Sequence, residues 1–286
     1  MKLAIVQTKP RKGEFERNLA SLGEAFAQLA ADERNGAPEV AVLPEAALTG
    51  YFLEGGVFDA ALPADRIAER MAQTWRDAAG DAPTELAFGF YENAGGTYYN
   101  SAMYLRVERG AHRIVHLHRK LFLPTYGVFD EARFLSRGRS MEAFETRCGR
   151  AAMLICEDAW HAIVPTIAAI KGARLIIIPS ASPGRGFAGA GEVESVEHWR
   201  AVLRMHAIEH GVFVVYAGLA GFEGGKGMSG SSCVVNPRGE FIASAPLLGT
   251  HIIRAEIDLS EIDRARARLP LLGGLCAVLP DLAHVV

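Results

Sequence analysis

Apolar residues at the start of the chain follow two different patterns of spacing. Leu3–Gln7 and Val40–Leu43 are short, mostly apolar runs, which predict buried strands. Between them, apolar side chains from Phe15 to Leu29 recur every three or four residues, the spacing of one helix face. Ala64–Ala79 repeats that helical spacing. The pattern therefore predicts a strand, a helix, a second strand and a second helix.

The following segment changes to a strand pattern. Leu86–Tyr91 and Tyr98–Val107 predict two strands, joined by a glycine-rich turn at Asn93–Gly96. Ile114–His118 alternates apolar and polar residues and predicts a further strand. We expect these three strands to form an antiparallel meander.

Wholly apolar runs dominate the second half of the chain, and such strands are typical of a sheet covered on both faces. The predicted strands are Ala151–Ile155, Leu175–Pro179, Val212–Ala217, Ser232–Asn236 and Ile252–Asp258, with an Asn-Pro-Arg-Gly turn at 236–239 between the last two. The predicted helices are Ala162–Ile170 and Ser195–Glu209. The whole pattern predicts an α/β fold in which helices cover two packed sheets.

Composition excludes several classes of protein. The 286 residues carry a formal net charge of −3, so the chain lacks the basic surplus of a nucleic-acid binder. The N-terminal apolar run is too short for a signal peptide, and no run is long enough to cross a membrane. We therefore expect a cytoplasmic protein whose four cysteines are free thiols.

Three residues with reactive side chains follow predicted strands. Cys156 lies at the carboxyl end of an apolar strand, where open α/β sheets carry their sites. The amides of a helical segment starting near Asp158 would favour its thiolate. Glu45 and Lys120 also follow strands. Alone, each has an ordinary explanation: a packed cysteine, an acid at a helix start and a solvated lysine.

Taken together, these three residues form a coherent chemical set. A thiol that attacks a carbonyl or nitrile carbon needs a base, which Glu45 can provide. The attack creates a negative charge, which Lys120 and the backbone N–H after Cys156 could stabilise. The chain has no evident serine-centred elbow that would offer another nucleophile.

The segments around these residues resemble motifs of the nitrilase superfamily, the carbon–nitrogen hydrolases, over nearly the whole chain. In the family's order they are Leu43-Pro44-Glu45, His118-Arg119-Lys120 with Leu123-Pro124, Leu154-Ile155-Cys156-Glu157-Asp158-Ala159-Trp160, 229–239 and 255–271. The resemblance implies a four-layer αββα sandwich of two mixed sheets with outer helices, in one domain over residues 1–286. It also implies a homo-oligomer, with the tail from about 259 to 286 in subunit contacts.

The resemblance implies a role for each residue of the set. Glu45 would be the general base and later the general acid, Lys120 would stabilise the tetrahedral intermediate, and Cys156 would form a thioester that water hydrolyses. Glu131 resembles the family's second glutamate, which orients the substrate or the lysine; an acid on a surface loop is the alternative. No cofactor or metal is needed.

The loop at 120–131 and the Cys-Glu-Asp-x-Trp run most resemble the glutaminase part of glutamine-dependent NAD synthetases. No ATP-pyrophosphatase motif is present, so we expect a stand-alone amidase acting on a small carboxamide, without nucleic-acid or membrane partners. Met205–His210 and Ala217-Gly218 depart from the family's pattern near the pocket wall, and a nitrile or an N-carbamoyl compound is the alternative substrate. The expected substrate-binding residues are Tyr126, Glu157, Trp160 and Ser182.

A glycine-rich segment suggests a different class of function. Gly184-Arg185-Gly186-Phe187-Ala188-Gly189 fits the G-x-G-x-x-G fingerprint of dinucleotide-binding proteins, and Glu209 lies about twenty residues further on. Ser182-Pro183 separates these glycines from the preceding strand, and the next helix starts only after Gly191. The pattern therefore favours a loop beside the active site over a dinucleotide site.

Three histidines suggest a metal site. His112, His116 and His118 share the parity of one strand. No acid or cysteine is spaced to complete a ligand set, so we expect a partly exposed strand face instead.

Overall fold

Strands and helices alternate along the protein in a computed structural model that describes residues 1–188 and 192–282. The strands within these residues are β1 Lys2–Gln7, β2 Val40–Val42, β3 Thr84–Ala94, β4 Thr97–Glu108, β5 Ala111–Arg119, β6 Ala143–Thr146, β7 Gly149–Met153, β8 Leu175–Ser180, β9 Phe187–Ala188, β10 Glu192–Val193, β11 Phe213–Gly218, β12 Ala220–Glu223, β13 Lys226–Ser229, β14 Cys233–Val235, β15 Phe241–Ser244 and β16 His251–Glu256. The helices are α1 Phe15–Ala30, α2 Val57–Ala60, α3 Ala64–Ala79, α4 Ile163–Ile170, α5 Glu194–His210, α6 Ser260–Arg268 and α7 Leu271–Leu282. Single 3-10 turns lie at Glu54–Gly56, Glu131–Arg133 and Cys156–Trp160.

Two six-stranded sheets, both mixed, contain most of these strands. The first has the order β16-β1-β2-β3-β4-β5, in which β1, β2 and β3 run parallel and the remaining pairs are antiparallel. The second has the order β15-β14-β11-β8-β7-β6, with β7, β8 and β11 parallel at its centre. The parallel strands carry their carboxyl ends to one end of each sheet, and that end positions the candidate site.

The sheets face each other across a hydrophobic core, and helices cover their outer faces. Side chains alternate along β1, so that Leu3 and Ile5 lie in the core between the sheets, whereas Ala4 and Val6 lie in the core beneath the helices. Helices α1 and α3 pack outside the first sheet, and α4 and α5 pack outside the second. The predicted four-layer αββα sandwich is confirmed.

Most predicted elements match the observed ones within a few residues, and α3 has the bounds that its apolar spacing predicts. The sequence pattern does not predict β6, the pair β9 and β10, the hairpin β12–β13, or β15, which lies in the segment between the last two predicted strands. Each of these strands has four residues or fewer. A run that short does not establish an alternating pattern, because tertiary contacts decide whether it pairs.

The expectation of a partly exposed face holds for two of the three histidines of β5, since His112 is exposed and His116 is half-buried. A bulge shifts the register between β4 and β5, so His112 does not share a face with the other two histidines. His116 stacks on Phe144 of β6 with 4.4 Å between ring centroids, and His118 is buried. These two side chains point toward the second sheet.

Candidate active site

Glu45 leaves the end of β2 and is buried completely. Its backbone passes so close to Gly89 of β3 that a Cβ atom there would lie 2.5 Å from the Cα atom of Glu45. Glycine at this position therefore allows the close approach. One carboxylate oxygen accepts hydrogen bonds from Lys120 Nζ (2.8 Å) and Asn100 Nδ2 (2.7 Å), and the other accepts from the Ala181 N–H (2.6 Å).

Lys120 follows β5 and places its ammonium between two carboxylates. Its Nζ atom donates to Glu45 Oε1 and to Glu131 Oε1, each at 2.8 Å. Burial opposes the charged form, but the carboxylates of Glu131 and Glu45 outweigh that effect and hold the pKa of Lys120 well above its ordinary value. The side chain is therefore an ammonium at neutral pH, not the solvated lysine of the alternative interpretation.

Glu131 lies in the interior, at the start of a 3-10 turn, and not on a surface loop. Its Oε1 atom accepts hydrogen bonds from Lys120, from the Tyr51 hydroxyl (2.5 Å) and from Asn100 Nδ2 (3.2 Å). Burial raises the pKa of Glu131 to about 7, although the Lys120 charge works in the opposite direction. The structure thus brings a second carboxyl group to the ammonium, as the resemblance implied.

Cys156 lies at the turn that follows β7, and the residue is 7% exposed. The residue has a φ of +44°, a left-handed conformation that is uncommon for residues other than glycine and that recurs at functional sites. Burial raises the pKa of Cys156 well above its ordinary value, the Glu45 charge adds to the rise, and Lys120 and the Ser180 hydroxyl oppose it. The resting group is therefore a thiol that needs a base.

The expected stabilisation of this thiolate by a helix start is wrong. Cys156 opens a 3-10 turn instead of preceding a helix, and the next α-helix begins only at Ile163. Burial first, and the neighbouring charges of Glu45 and Lys120 second, therefore set the pKa of the thiol.

Several residues of the site were not singled out by the sequence pattern. Asn100 lies on β4, and its side-chain amide donates hydrogen bonds to Glu45 and Glu131. The Tyr51 hydroxyl also donates to Glu131. Ser180 ends β8, where its hydroxyl works to lower the pKa of Cys156 and accepts from the Tyr216 hydroxyl at 3.2 Å. A polar residue inside a buried strand is the signal that could have identified Asn100, because such a side chain requires a polar partner.

The four expected substrate-binding residues divide into two pairs. The Tyr126 hydroxyl donates to the carboxylate of Glu157 at 2.8 Å, directly beside Cys156 in the chain. Trp160 and Ser182 instead both contact Trp199 of α5, Trp160 by edge-to-face packing and Ser182 by accepting a hydrogen bond from its indole N–H (2.9 Å). Tyr126 and Trp160 are exposed, whereas Ser182 is buried.

A cavity of about 300 Å³ lies beside Glu131. Its wall combines five aromatic residues with aliphatic and charged ones; the aromatic residues are Tyr51, Phe52, Tyr91, Phe129 and Phe134. Such a cavity is of a size and character suited to a small organic molecule.

The glycine-rich segment does not form a dinucleotide turn in the part that the structure describes. Gly184 and Gly186 precede the short strand β9, which pairs with β10, and α5 begins only at Glu194. The fingerprint requires a direct turn from a strand into a helix. Gly189 and Gly191 of the predicted loop lie outside the described residues.

Within residues 1–188 and 192–282, no three histidine, cysteine, aspartate or glutamate side chains converge as metal ligands. Among the helices of those same ranges, none combines the length and the apolar character needed to cross a bilayer.

Comparison of the sequence with family models gives one match. The carbon–nitrogen hydrolase model aligns with residues 2–267 of this chain. The matched range includes Glu45, Lys120, Glu131 and Cys156.

Some curated relatives are much longer than this chain, and others have a similar length. The glutamine-dependent NAD(+) synthetase of Thermotoga maritima is 28% identical over 265 residues, which are 91% of this chain and 42% of that protein. The chain thus spans less than half the length of this relative. The citrullinase of Francisella tularensis (26% identical) and an omega-amidase of Danio rerio (28% identical) match over 93% and 94% of this chain and 92% of their own lengths.

Solved structures agree with the fold. A carbon–nitrogen hydrolase from Helicobacter pylori superposes with a TM-score of 0.81 and 24% identity, covering 95% of this chain and 94% of that one. The glutamine-dependent NAD(+) synthetase of Acinetobacter baumannii superposes with a TM-score of 0.74 and 25% identity, covering 91% of this chain and 46% of that one.

Proposed function

The chain belongs to the carbon–nitrogen hydrolase family, and on that premise we propose that it hydrolyses a small carboxamide through a cysteine thioester and releases ammonia. The observation that carries the proposal is the buried ammonium of Lys120, held 2.8 Å from both Glu45 and Glu131 in the same cluster whose charges act on the Cys156 thiol. This grouping of residues from distant parts of the chain supports a reaction that uses Cys156 as nucleophile, Glu45 as base and Lys120 as cation.

The first half of the proposed reaction forms the thioester. Glu45 takes the proton of the Cys156 thiol as the sulfur bonds to the amide carbon, and the carbonyl π electrons move to oxygen. Lys120 stabilises the resulting oxyanion, together with the backbone N–H after Cys156. Glu45 then returns the proton to the nitrogen, the C–N bond breaks, and ammonia leaves.

The second half regenerates the enzyme. Glu45, again a carboxylate, removes a proton from a water molecule that attacks the thioester carbon. The second tetrahedral intermediate collapses with cleavage of the C–S bond, and Glu45 returns the proton to sulfur. Glu131 does not react in this scheme. It accepts a hydrogen bond from Lys120 and thereby orients the ammonium.

An ammonia-release screen over small amides, nitriles and carbamoyl amines tests the proposal. We expect the wild-type protein to release ammonia from a carboxamide and mass spectrometry to detect an acyl adduct on Cys156. The Cys156→Ala protein should be folded and inactive. Ammonia release by a folded Cys156→Ala protein would contradict the proposed nucleophile.

A ureido compound is a second candidate substrate. The citrullinase relative, which matches over 92% of its length, supports it. Attack at a ureido carbon would use the same thiol, base and cation, so the same screen separates the two candidates by the substrate that is turned over.

We also propose that α6 and α7 contribute to a homo-oligomer. Helix α7 is rich in leucine, and none of its described residues is buried in the isolated chain. Light scattering should give a mass at least twice that of the 30.8-kDa chain. A monomer mass at micromolar concentration would contradict this proposal.

A further inference from the structure

Asp158 is a fully buried carboxylate two residues after Cys156, and the proposed reaction does not use it. One of its oxygens accepts the backbone N–H groups of Leu121 (2.9 Å) and Phe122 (3.0 Å). The other accepts the Ile155 N–H (3.1 Å) and faces His118 Nε2 at 2.9 Å. An ionised carboxylate can only accept, so this last bond requires the proton on Nε2 of His118.

The four donors come from only two segments, and each segment contains one residue of the candidate active site. His118, Leu121 and Phe122 flank Lys120 on both sides, whereas Ile155 immediately precedes Cys156. Lys120 follows β5, at the edge of the first sheet, and Cys156 follows β7 of the second sheet. The Asp158 carboxylate therefore joins the two sheets at the place where the cation and the nucleophile meet.

We propose that Asp158, with His118, is a positioning residue that sets the distance between the Lys120 ammonium and the Cys156 sulfur. This inference rests on the proposed function, because it assigns a role within the same site. A buried carboxylate without hydrogen-bond partners destabilises the folded protein. The four donors offset this loss only while the two segments keep the positions seen in the structure. The same bonds hold the tight turn in which Cys156 adopts its left-handed conformation.

The positioning role makes a specific prediction for the thiol. Because burial raises the pKa of Cys156, its reactivity depends on where the thiol lies relative to its proposed base, Glu45. A displaced turn changes that position even when no substrate is present. Alkylation of Cys156 by iodoacetamide therefore reports the geometry without any turnover.

Asp158→Asn is the direct test. An amide nitrogen replaces one carboxylate oxygen, so at least one of the four donors loses its acceptor while the side-chain volume is unchanged. We expect kcat to fall about 100-fold with KM changed less than about threefold, because misplacement of about 1 Å acts on the chemical step. Alkylation should slow about tenfold while the circular dichroism spectrum stays that of the wild type.

Glu85→Gln is the matched control. Glu85 is equally buried and hydrogen-bonded, but it pairs with Val40 at the start of β2, whereas Glu45 follows the end of that strand. This variant should lose stability and keep the wild-type alkylation rate. An Asp158→Asn protein with the wild-type kcat and alkylation rate, or a Glu85→Gln protein with equally slow alkylation, would overturn the positioning role.

If Asp158→Asn does not fold, two variants of His118 test the positioning role instead. His118→Gln retains an N–H donor near the position of Nε2 and should alkylate at close to the wild-type rate, whereas His118→Leu should be slow. Equal rates for the two would overturn the proposal. If the wild-type protein releases no ammonia but these alkylation differences appear, the proposed function fails and the positioning role stands.

Discussion

Two buried charge clusters lie at opposite ends of the first sheet, and they differ in how fully their polar atoms are paired. At one end, both oxygens of Glu85 have donors: Arg106 on one, Tyr104 and a backbone N–H on the other. At the other end, Glu45 and Glu131 share the single ammonium of Lys120. There, Glu131 Oε2 and Asn100 Oδ1 are buried without a hydrogen-bond partner among the described residues.

The difference separates a structural cluster from the proposed catalytic one. Both oxygens of Glu85 are satisfied within the fold, as are both oxygens of Glu45, whereas one oxygen of Glu131 has no donor among the described residues. Two carboxyl groups around one cation, with unpaired acceptors beside them, are retained at a cost in stability. Incomplete pairing of buried polar atoms is therefore the feature that distinguishes the candidate site from an ordinary buried ion pair.

The largest expected effect comes from removing the cation of each cluster. Lys120→Met should lower kcat about 1000-fold, because it removes the group that stabilises the oxyanion. Arg106→Met removes the cation that pairs with Glu85 at 2.6 Å and should lower the free energy of unfolding while leaving kcat near the wild-type value. Ammonia-release kinetics and urea unfolding of both variants measure this contrast. Comparable losses of kcat in the two would remove the distinction between the clusters.

A smaller effect concerns the pH dependence of stability. Burial raises the pKa of Glu131 from 4.5 to about 7 in the folded protein. The folded state then binds the proton more tightly than the unfolded state, so this group favours folding below pH 4.5 and loses that contribution as the pH rises toward about 7. Glu131→Gln removes the titration.

Urea unfolding across that pH range checks this expectation. The free energy of unfolding of the wild type should fall relative to that of Glu131→Gln as the pH rises. Parallel curves for the two proteins would show that Glu131 does not titrate there.

The smallest expected effect concerns the Ser180 hydroxyl, which opposes the rise in the pKa of Cys156 that burial causes. Ser180→Ala should therefore slow alkylation of Cys156 about threefold, the value of one weak hydrogen bond. Tyr216→Phe removes only the donor to Ser180 and serves as the control, with a smaller change expected. Faster alkylation in Ser180→Ala would contradict the assigned direction.

The amino-acid pattern by itself determined the layered architecture and the positions of the main reactive residues. Apolar spacing predicts α3 residue for residue, because one buried helix face is a local property of the chain. The apolar runs before Glu45 and Cys156 likewise place both residues at strand ends. The chemistry that a thiol nucleophile requires suggested Lys120, and the motif resemblance added Glu131, which the apolar pattern alone leaves as an ordinary loop acid.

Only the tertiary structure decided how those residues are paired. The hydrogen bonds of Glu45 come from Asn100, Lys120 and Ala181, and those of Asp158 link segments more than thirty residues apart. The bulge that turns His118 inward depends on the pairing of two strands, and the conformation of Cys156 depends on the turn around it. Such contacts form when two sheets pack against each other, and no periodicity along the chain encodes which polar atoms then meet.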